Sequence, residues 1–188
     1  MSRVSSKRQT NSSGLKSCKV VICGDTTVGK TAMIHNYVNN KFDDKYEPNV
    51  LDVFKGEKPI DGEVYDVEIN DTGGDENITD QRKLVYKDAD LFMLCVSAVS
   101  RDSLNNIGKW KTEIRGIEQD SPIVLVITKI DLRQEMPDKA ISIKEIKAAT
   151  KKHRLIKYFE TTAKNVDDFN VHKCFNKAIK LVAFEDDD

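Results

Sequence analysis

Gly24-Asp25-Thr26-Thr27-Val28-Gly29-Lys30-Thr31 is the stretch that decides how this chain is read. It fits the pattern G-x-x-x-x-G-K-[ST]. It also lies where that pattern must lie, after the short apolar run Lys19-Val20-Val21-Ile22-Cys23 and before a helix-like Thr31 to Val38. The chemistry is local. Glycines let the backbone curl so that successive N–H groups point inward at a phosphate chain, and the following helix adds the positive end of its dipole. Lys30 would reach the terminal phosphates and the Thr31 hydroxyl would bind Mg²⁺. Asp25, Thr27, Val28, Gly29 and Ala32 complete the candidate contacts of this loop.

Working outward, the pattern alternates strand and helix. Val64 to Ile69 alternates apolar and polar residues, as in a strand with one covered face. Leu91 to Val96 and Ile123 to Ile127 are continuous apolar runs of strand length, which predicts burial on both faces. Helical spacing joins Leu104, Ile107, Trp110, Ile114 and Ile117, and again Val171, Phe175, Ala178 and Val182. Ser142 with Glu145 forms a capping box that opens another helix. Asp167 and Asp168 suit the first turn of the last helix. Strands separated by helices predict right-handed crossovers and an α/β fold, a mostly parallel sheet with helices on both faces.

The length of 188 residues favours one domain. With 30 Lys+Arg against 31 Asp+Glu, the net charge of −1 argues against a general nucleic-acid binder. No apolar run approaches the ~20 residues of a membrane span. Cys18, Cys23, Cys95 and Cys174 have no CxxC spacing, and the three histidines are scattered, so a reduced, cytoplasmic protein without a zinc cluster is expected. Residues 1–17 carry Arg3, Lys7, Arg8 and Lys16 and no acid, and read as a flexible basic arm. Residues 185–188, Glu-Asp-Asp-Asp, read as an acidic tail. Residues 185–188 hold neither a C-a-a-X box nor a polybasic run, so they supply no lipidation motif, and a lipid anchor on the native chain stays an open alternative. The basic arm offers only a weak peripheral attraction to a membrane.

Three further segments choose the nucleotide. Asp71-Thr72-Gly73-Gly74 ends the Val64–Ile69 strand. Thr128-Lys129-Ile130-Asp131 ends the Ile123–Ile127 strand. Glu160-Thr161-Thr162-Ala163-Lys164 follows a short strand over Ile156 to Phe159. All four motifs thus fall at carboxyl ends of strands, the rim where open α/β sheets bind ligands. With these motifs, and with Trp110-Lys111-Thr112-Glu113-Ile114 and Lys157-Tyr158-Phe159-Glu160, residues 18–184 resemble a Ras-superfamily small GTPase of Rho/Rac type.

The resemblance implies a three-layer P-loop G domain with a six-stranded sheet and about five helices, GTP or GDP with Mg²⁺, and a monomer. Asp131 corresponds to the carboxylate that reads guanine. Being acceptor-only, it suits the N1–H and 2-amino groups and mismatches adenine. Thr128, Lys129, Thr162, Ala163 and Lys164 correspond to the rest of the base site. Phe42 and Tyr46 correspond to first-switch aromatics. Asp71 and Asn49 join Thr31 at the metal, and the Gly74 N–H corresponds to the sensor of the γ-phosphate. Val50, Leu51, Asp52 and Glu76 fall where effector proteins are read.

The departures cluster at the γ-phosphate. Thr26 stands where most of the family has Gly, Asp75 where it has the water-orienting Gln, and Asn49 where it has Thr. Gly73 replaces Ala. Asn70 replaces a Trp used in exchange-factor selection. An ionised Asp75 accepts hydrogen bonds but donates none and is one methylene short. Similar losses mark the Rnd-like atypical Rho proteins. The chain therefore reads as an atypical Rho-like GTP-binding signalling protein with impaired hydrolysis. The alternatives are a conventional switch that depends on a GTPase-activating protein, and a nucleotide-bound scaffold blind to the γ-phosphate. The stretch from Asp131 to Thr162 is too short for the full Rho insert helix.

Overall fold

The computed structural model describes residues 14–42, 51–165 and 170–183. Six strands form one sheet in the order β2-β3-β1-β4-β5-β6. They are β1 Lys16–Cys23, β2 Leu51–Ile60, β3 Glu63–Thr72, β4 Leu91–Ser97, β5 Ile123–Thr128 and β6 Tyr158–Glu160. Only the β2–β3 pair is antiparallel. The layered α/β architecture and mostly parallel sheet are those expected.

The buried strands divide their side chains between two cores. On β1, Cys18, Val20 and Ile22 face one core, while Val21 and Cys23 face the other. β4 splits the same way, with Leu91, Met93 and Cys95 against Phe92, Leu94 and Val96. The period of two is what turns a continuous apolar run into two packed faces. The first core is closed by α1 (Lys30–Asn39) and α7 (Asn170–Ala183). The second is closed by α2 (Thr79–Tyr86), α4 (Ile107–Arg115) and α6 (Ile143–Lys152).

The described residues hold seven α-helical segments rather than about five. Two of the extra ones have local causes. The periodic stretch Leu104 to Ile117 is not one helix, because it breaks at Asn106 into α3 (Arg101–Asn105) and α4. There the Asn106 amide donates to the Asp25 carboxylate at 2.8 Å instead of facing solvent. A single turn, α5 (Leu132–Glu135), follows the Thr128–Asp131 motif and is too short to show a period. The capping box on α6 is present in both directions.

Strand β2 has no counterpart in the expected elements. Gly56 and Pro59 weaken its pattern, and Val53, Lys55 and Glu57 face solvent. Ten paired positions along β3 hold it instead. The connecting turn, Asp61 at φ 49 and Gly62 at φ 89, has the two positive φ values of a tight type I′ hairpin. The Asp-Gly pair was the available signal. The expectations at residues 1–13, Tyr46, Asn49, Val50, Asp167, Asp168 and 185–188 fall outside the described residues.

Candidate nucleotide site

The loop after β1 is shaped by backbone that alternates into the left-handed region. Gly24 has φ 132, Thr27 φ 60 and Gly29 φ 100. A Cβ on Gly24 would lie 2.4 Å from the Cys95 carbonyl oxygen, so β4 itself demands glycine there. Lys30 is buried, and its Nζ donates to the carbonyls of Gly24 (2.9 Å) and Asp25 (2.7 Å) across the mouth of the loop. Burial pulls the Lys30 pKa down, although Cys95 and Asp71 oppose the shift. An anion held in the loop would relieve that penalty.

Asp25 keeps its carboxylate out of the loop. Its oxygens accept from Trp110 Nε1 at 2.6 Å and from Asn106 Nδ2 at 2.8 Å. Only its backbone shapes the cradle. Val28 is buried, and its carbonyl accepts from the Thr128 hydroxyl.

At the helix start, the Thr31 hydroxyl donates to one Asp71 oxygen. The other oxygen, Oδ1, is buried and has no hydrogen-bond partner. Asp71 is 4% exposed, and burial raises its pKa above the ordinary value, with Asp52, opposite it in the β2–β3 register, adding to the effect. A buried carboxylate oxygen without a partner, beside a hydroxyl, fits a hard divalent cation, and Mg²⁺ commonly takes only one or two protein ligands.

The base end is a cavity of about 290 Å³. Phe42, Lys129, Asp131, Ala163 and Lys164 line it, joined by Gly29, Ala32, Thr128 and Thr162. Met33, Leu132 and Thr161 also line it and were not foreseen. Lys129 spans the site, because its stem passes over Gly29 and its Nζ donates to the Thr27 carbonyl at 2.6 Å. The base loop is knitted from several elements. Asn36 of α1 donates to the Ala163 carbonyl at 2.9 Å, the Thr162 N–H donates to Asn170 Oδ1 at 3.1 Å, and the Lys164 N–H donates to the Thr162 hydroxyl at 3.2 Å. Asn36, 1% exposed, supports the candidate site from behind its lining, a role that sequence reasoning missed.

Behind the phosphate end lies the second switch. Gly74 is pressed against the loop, so that a Cβ on it would lie 2.3 Å from the Thr26 nitrogen. Thr26 and Thr27 are exposed above the loop. Asp75 is exposed too, and its carboxylate accepts from the Asn77 N–H at 2.8 Å, capping a 3-10 turn over Glu76–Ile78. Glu76 pairs with Lys109 of α4 at the surface. Leu51 and Asp52 open β2 beside Thr72 and Asp71. Asn70 is buried and donates to Glu68 Oε1 at 3.0 Å.

A buried ion pair holds this switch from beneath. Arg82 of α2, 1% exposed, makes a two-pronged contact with Glu113 of α4, Nε to Oε1 at 2.7 Å and Nη2 to Oε2 at 2.9 Å. Its Nη1 donates to the carbonyls of Gly73 (2.9 Å) and Asp75 (2.8 Å), and its guanidinium lies 4.7 Å from the Trp110 ring centre. The Tyr86 hydroxyl also donates to Glu113 at 2.8 Å. Burial acts to raise the Glu113 pKa, but the Arg82 and Tyr86 hydrogen bonds overcome it and hold the carboxyl below its usual range. Trp110 and Glu113 lie in a stretch already noted for its resemblance, but nothing in their spacing points to Arg82.

Comparison with known proteins agrees with this geometry. A sequence profile described as the Ras family matches residues 19–184. The chain is 35% identical over 165 residues to the Ras-like GTP-binding protein RhoL of Drosophila melanogaster, which covers 87% of this chain and 86% of that protein.

Proposed function

The chain belongs to the Ras family of small GTPases, and from that premise we propose that it is a Rho-like guanine-nucleotide-binding signalling protein whose hydrolytic step is stalled. Asp131, in the wall of the base cavity, would accept from the N1–H and 2-amino groups of guanine. Phe42 and the Lys129 stem would flank the base and sugar. The loop N–H groups and Lys30 would hold the phosphates, and Thr31 and Asp71 would hold Mg²⁺, which supplies charge neutralisation between the phosphates. Effector proteins would read the start of β2 at Leu51 and Asp52 together with the second switch around Glu76.

The observation that carries the stalled step is the engagement of Asp75. Its carboxylate caps its own turn at 2.8 Å instead of facing the loop. Released from that cap it would still bring a negative charge towards a polyanion and donate no hydrogen bond. Thr26 adds a branched side chain above the loop where a partner's arginine would have to enter.

Single-turnover conversion of bound GTP tests this reading. The wild-type chain should convert GTP markedly more slowly than an ordinary Rho protein, and the double variant T26G/D75Q should gain at least about tenfold. An ordinary rate in the wild type, unchanged in the variant, would overturn it. A second reading is favoured by Arg82. Its guanidinium is committed to Glu113 and two carbonyls, so this second-switch arginine is not free for the phosphates, which suits a switch that borrows a partner's arginine. Stimulation by a GTPase-activating domain of ~10³-fold or more would select that reading. Equal effector affinity with GDP and with a GTP analogue would select the scaffold.

A further inference from the structure

The candidate nucleotide site accounts for one end of the sheet, and a basic surface lies elsewhere. From Ile146 to Phe159 the chain holds Lys147, Lys151, Lys152, Arg154 and Lys157 and no acidic residue. All five are exposed, as is Lys144 one turn earlier. Lys144, Lys147 and Lys151 follow helical spacing on the outer face of α6, while Ile146 on the inner face is fully buried. Arg154 and Lys157 continue the surface into the start of β6. The chain as a whole has a net charge of −1, so a stretch with five cations and no acid departs from its average balance.

Contacts around the patch are those of crowded like charges. The Lys111 ammonium of α4 donates to the His153 carbonyl at 2.6 Å, bringing a further cation against the end of α6. Burial first, then Lys152 and Lys111, pulls the His153 pKa down. Burial first, then Arg115 and Arg154, pulls the Lys111 pKa down. Glu145, at the start of the helix, is occupied by Arg101 and the capping box and leaves the patch uncompensated. Arg115 has Asp120 and Glu118 beside it and is not counted.

Two aliphatic side chains interrupt the charge. Ile143 is 48% exposed one helical turn before Lys147, and Ile156 is 52% exposed between Arg154 and Lys157. Neither belongs to either core. A single-stranded nucleic acid asks for exposed aromatic platforms within such a patch, and the two rings here, Tyr158 and Phe159, are half-buried. Lysines with protruding aliphatic residues match an anionic bilayer, where the ammonium groups meet headgroups and the aliphatic chains enter the interface.

We propose that the outer face of α6, with Arg154, Ile156 and Lys157, is a docking surface for an anionic lipid membrane. Its place in the fold suits that role. α6 packs at the β5–β6 side of the sheet, and β2, which begins at the first switch, is the opposite edge. Five strand spacings separate the two edges by roughly 24 Å. A bilayer against α6 therefore meets the molecule at the side of the sheet opposite the β2 edge and leaves that edge open to partners. Nothing in this proposal depends on the fate of GTP.

The test is co-sedimentation of the full chain with vesicles of phosphatidylcholine containing about a third phosphatidylserine, and with pure phosphatidylcholine vesicles. Binding is expected only to the anionic vesicles and should weaken steeply as salt is raised. Reversing K147E/R154E/K157E should lower partitioning at least about tenfold, and the milder K144Q/K147Q/K151Q set should lower it in the same direction. I156S should weaken binding in high salt, where only the apolar contribution survives. Neutralising the arm with R3Q/K7Q/R8Q should leave most of the binding in place. The urea midpoint of each variant confirms that it is folded. The proposal is overturned if the arm variant alone abolishes binding, or if the folded helix variants bind as the wild type does. It is also overturned if the patch captures duplex DNA or an acidic peptide while anionic vesicles do not bind.

Discussion

Thr27 is the residue where the loop works against its own side chain. It is β-branched and sits at φ 60, a region that costs such residues roughly 1–2 kcal/mol and that asparagine tolerates better. T27N should therefore stabilise the folded chain by about 1 kcal/mol in urea denaturation, and a loss of stability would contradict the strain argument. Asp71 carries a cost of another kind, a carboxyl buried beside a cation site that is only proposed. Burial raises its pKa above the ordinary 3.8, so the folded chain binds that proton more tightly than the unfolded chain does. Stability without metal is consequently highest below pH 3.8 as far as this group is concerned, and it falls as pH rises through the raised folded value. D71N should raise the melting temperature at neutral pH in EDTA, give little gain near pH 3, and accelerate nucleotide loss when Mg²⁺ is restored. An equal gain at every pH would rule out ionisation as the cause. Both effects were invisible as residue types. Thr27 reads as an ordinary loop residue and Asp71 as a ligand, and only backbone dihedrals and burial reveal what each costs.

Between elements, a buried ion pair joins α2 to α4 and reaches the phosphate loop. Arg82 binds Glu113, stacks on Trp110 and holds two second-switch carbonyls, while Trp110 holds Asp25. Truncating one partner of a buried pair strands the other, so R82A should cost about 3–5 kcal/mol. W110F keeps an aromatic ring, though a smaller one, but removes the bond to Asp25, and should cost about 1.5–3 kcal/mol while speeding nucleotide release. A double-mutant cycle of W110F with D25N checks whether that bond is the cause, because a coupling near zero would refute it. The sequence displayed Trp110 as one apolar position of a helical period and held no sign that singled out Arg82. Their pairing spans residues far apart in the chain, and no local period records it.

Over the whole molecule, stability should be graded from the sheet centre outwards. β1, β4 and β5 are buried on both faces, whereas β2 and β6 are edges and β2 carries exposed residues at every second position. Amide hydrogens of Val21, Met93 and Val126 should exchange only through global unfolding, and those of Val53 and Lys55 through cheaper local opening. Equal protection across the sheet, measured by hydrogen exchange, would contradict this grading. The proposed tasks are also separated, with the candidate nucleotide site at the carboxyl ends of the strands, the proposed effector-reading residues at the β2 edge and the basic face of α6 towards the other.

Four motifs, two continuous apolar runs and a capping box, with the family resemblance the motifs carry, were enough to reach the sheet, its parallel core and nine of the twelve residues lining the cavity at its rim. Each of these depends on only a few neighbouring residues. A left-handed turn needs glycine in place, a doubly buried strand needs an unbroken apolar run, and a cap needs its partner three residues on. Folding alone decided the rest. The cap that occupies Asp75, the unpartnered Asp71 oxygen, the Arg82–Glu113 pair, the strand β2 and the uncompensated lysines of α6 all depend on what the folded chain brings beside them, or fails to bring. Charge and burial are properties of a neighbourhood in space, and that neighbourhood does not exist until distant segments pack.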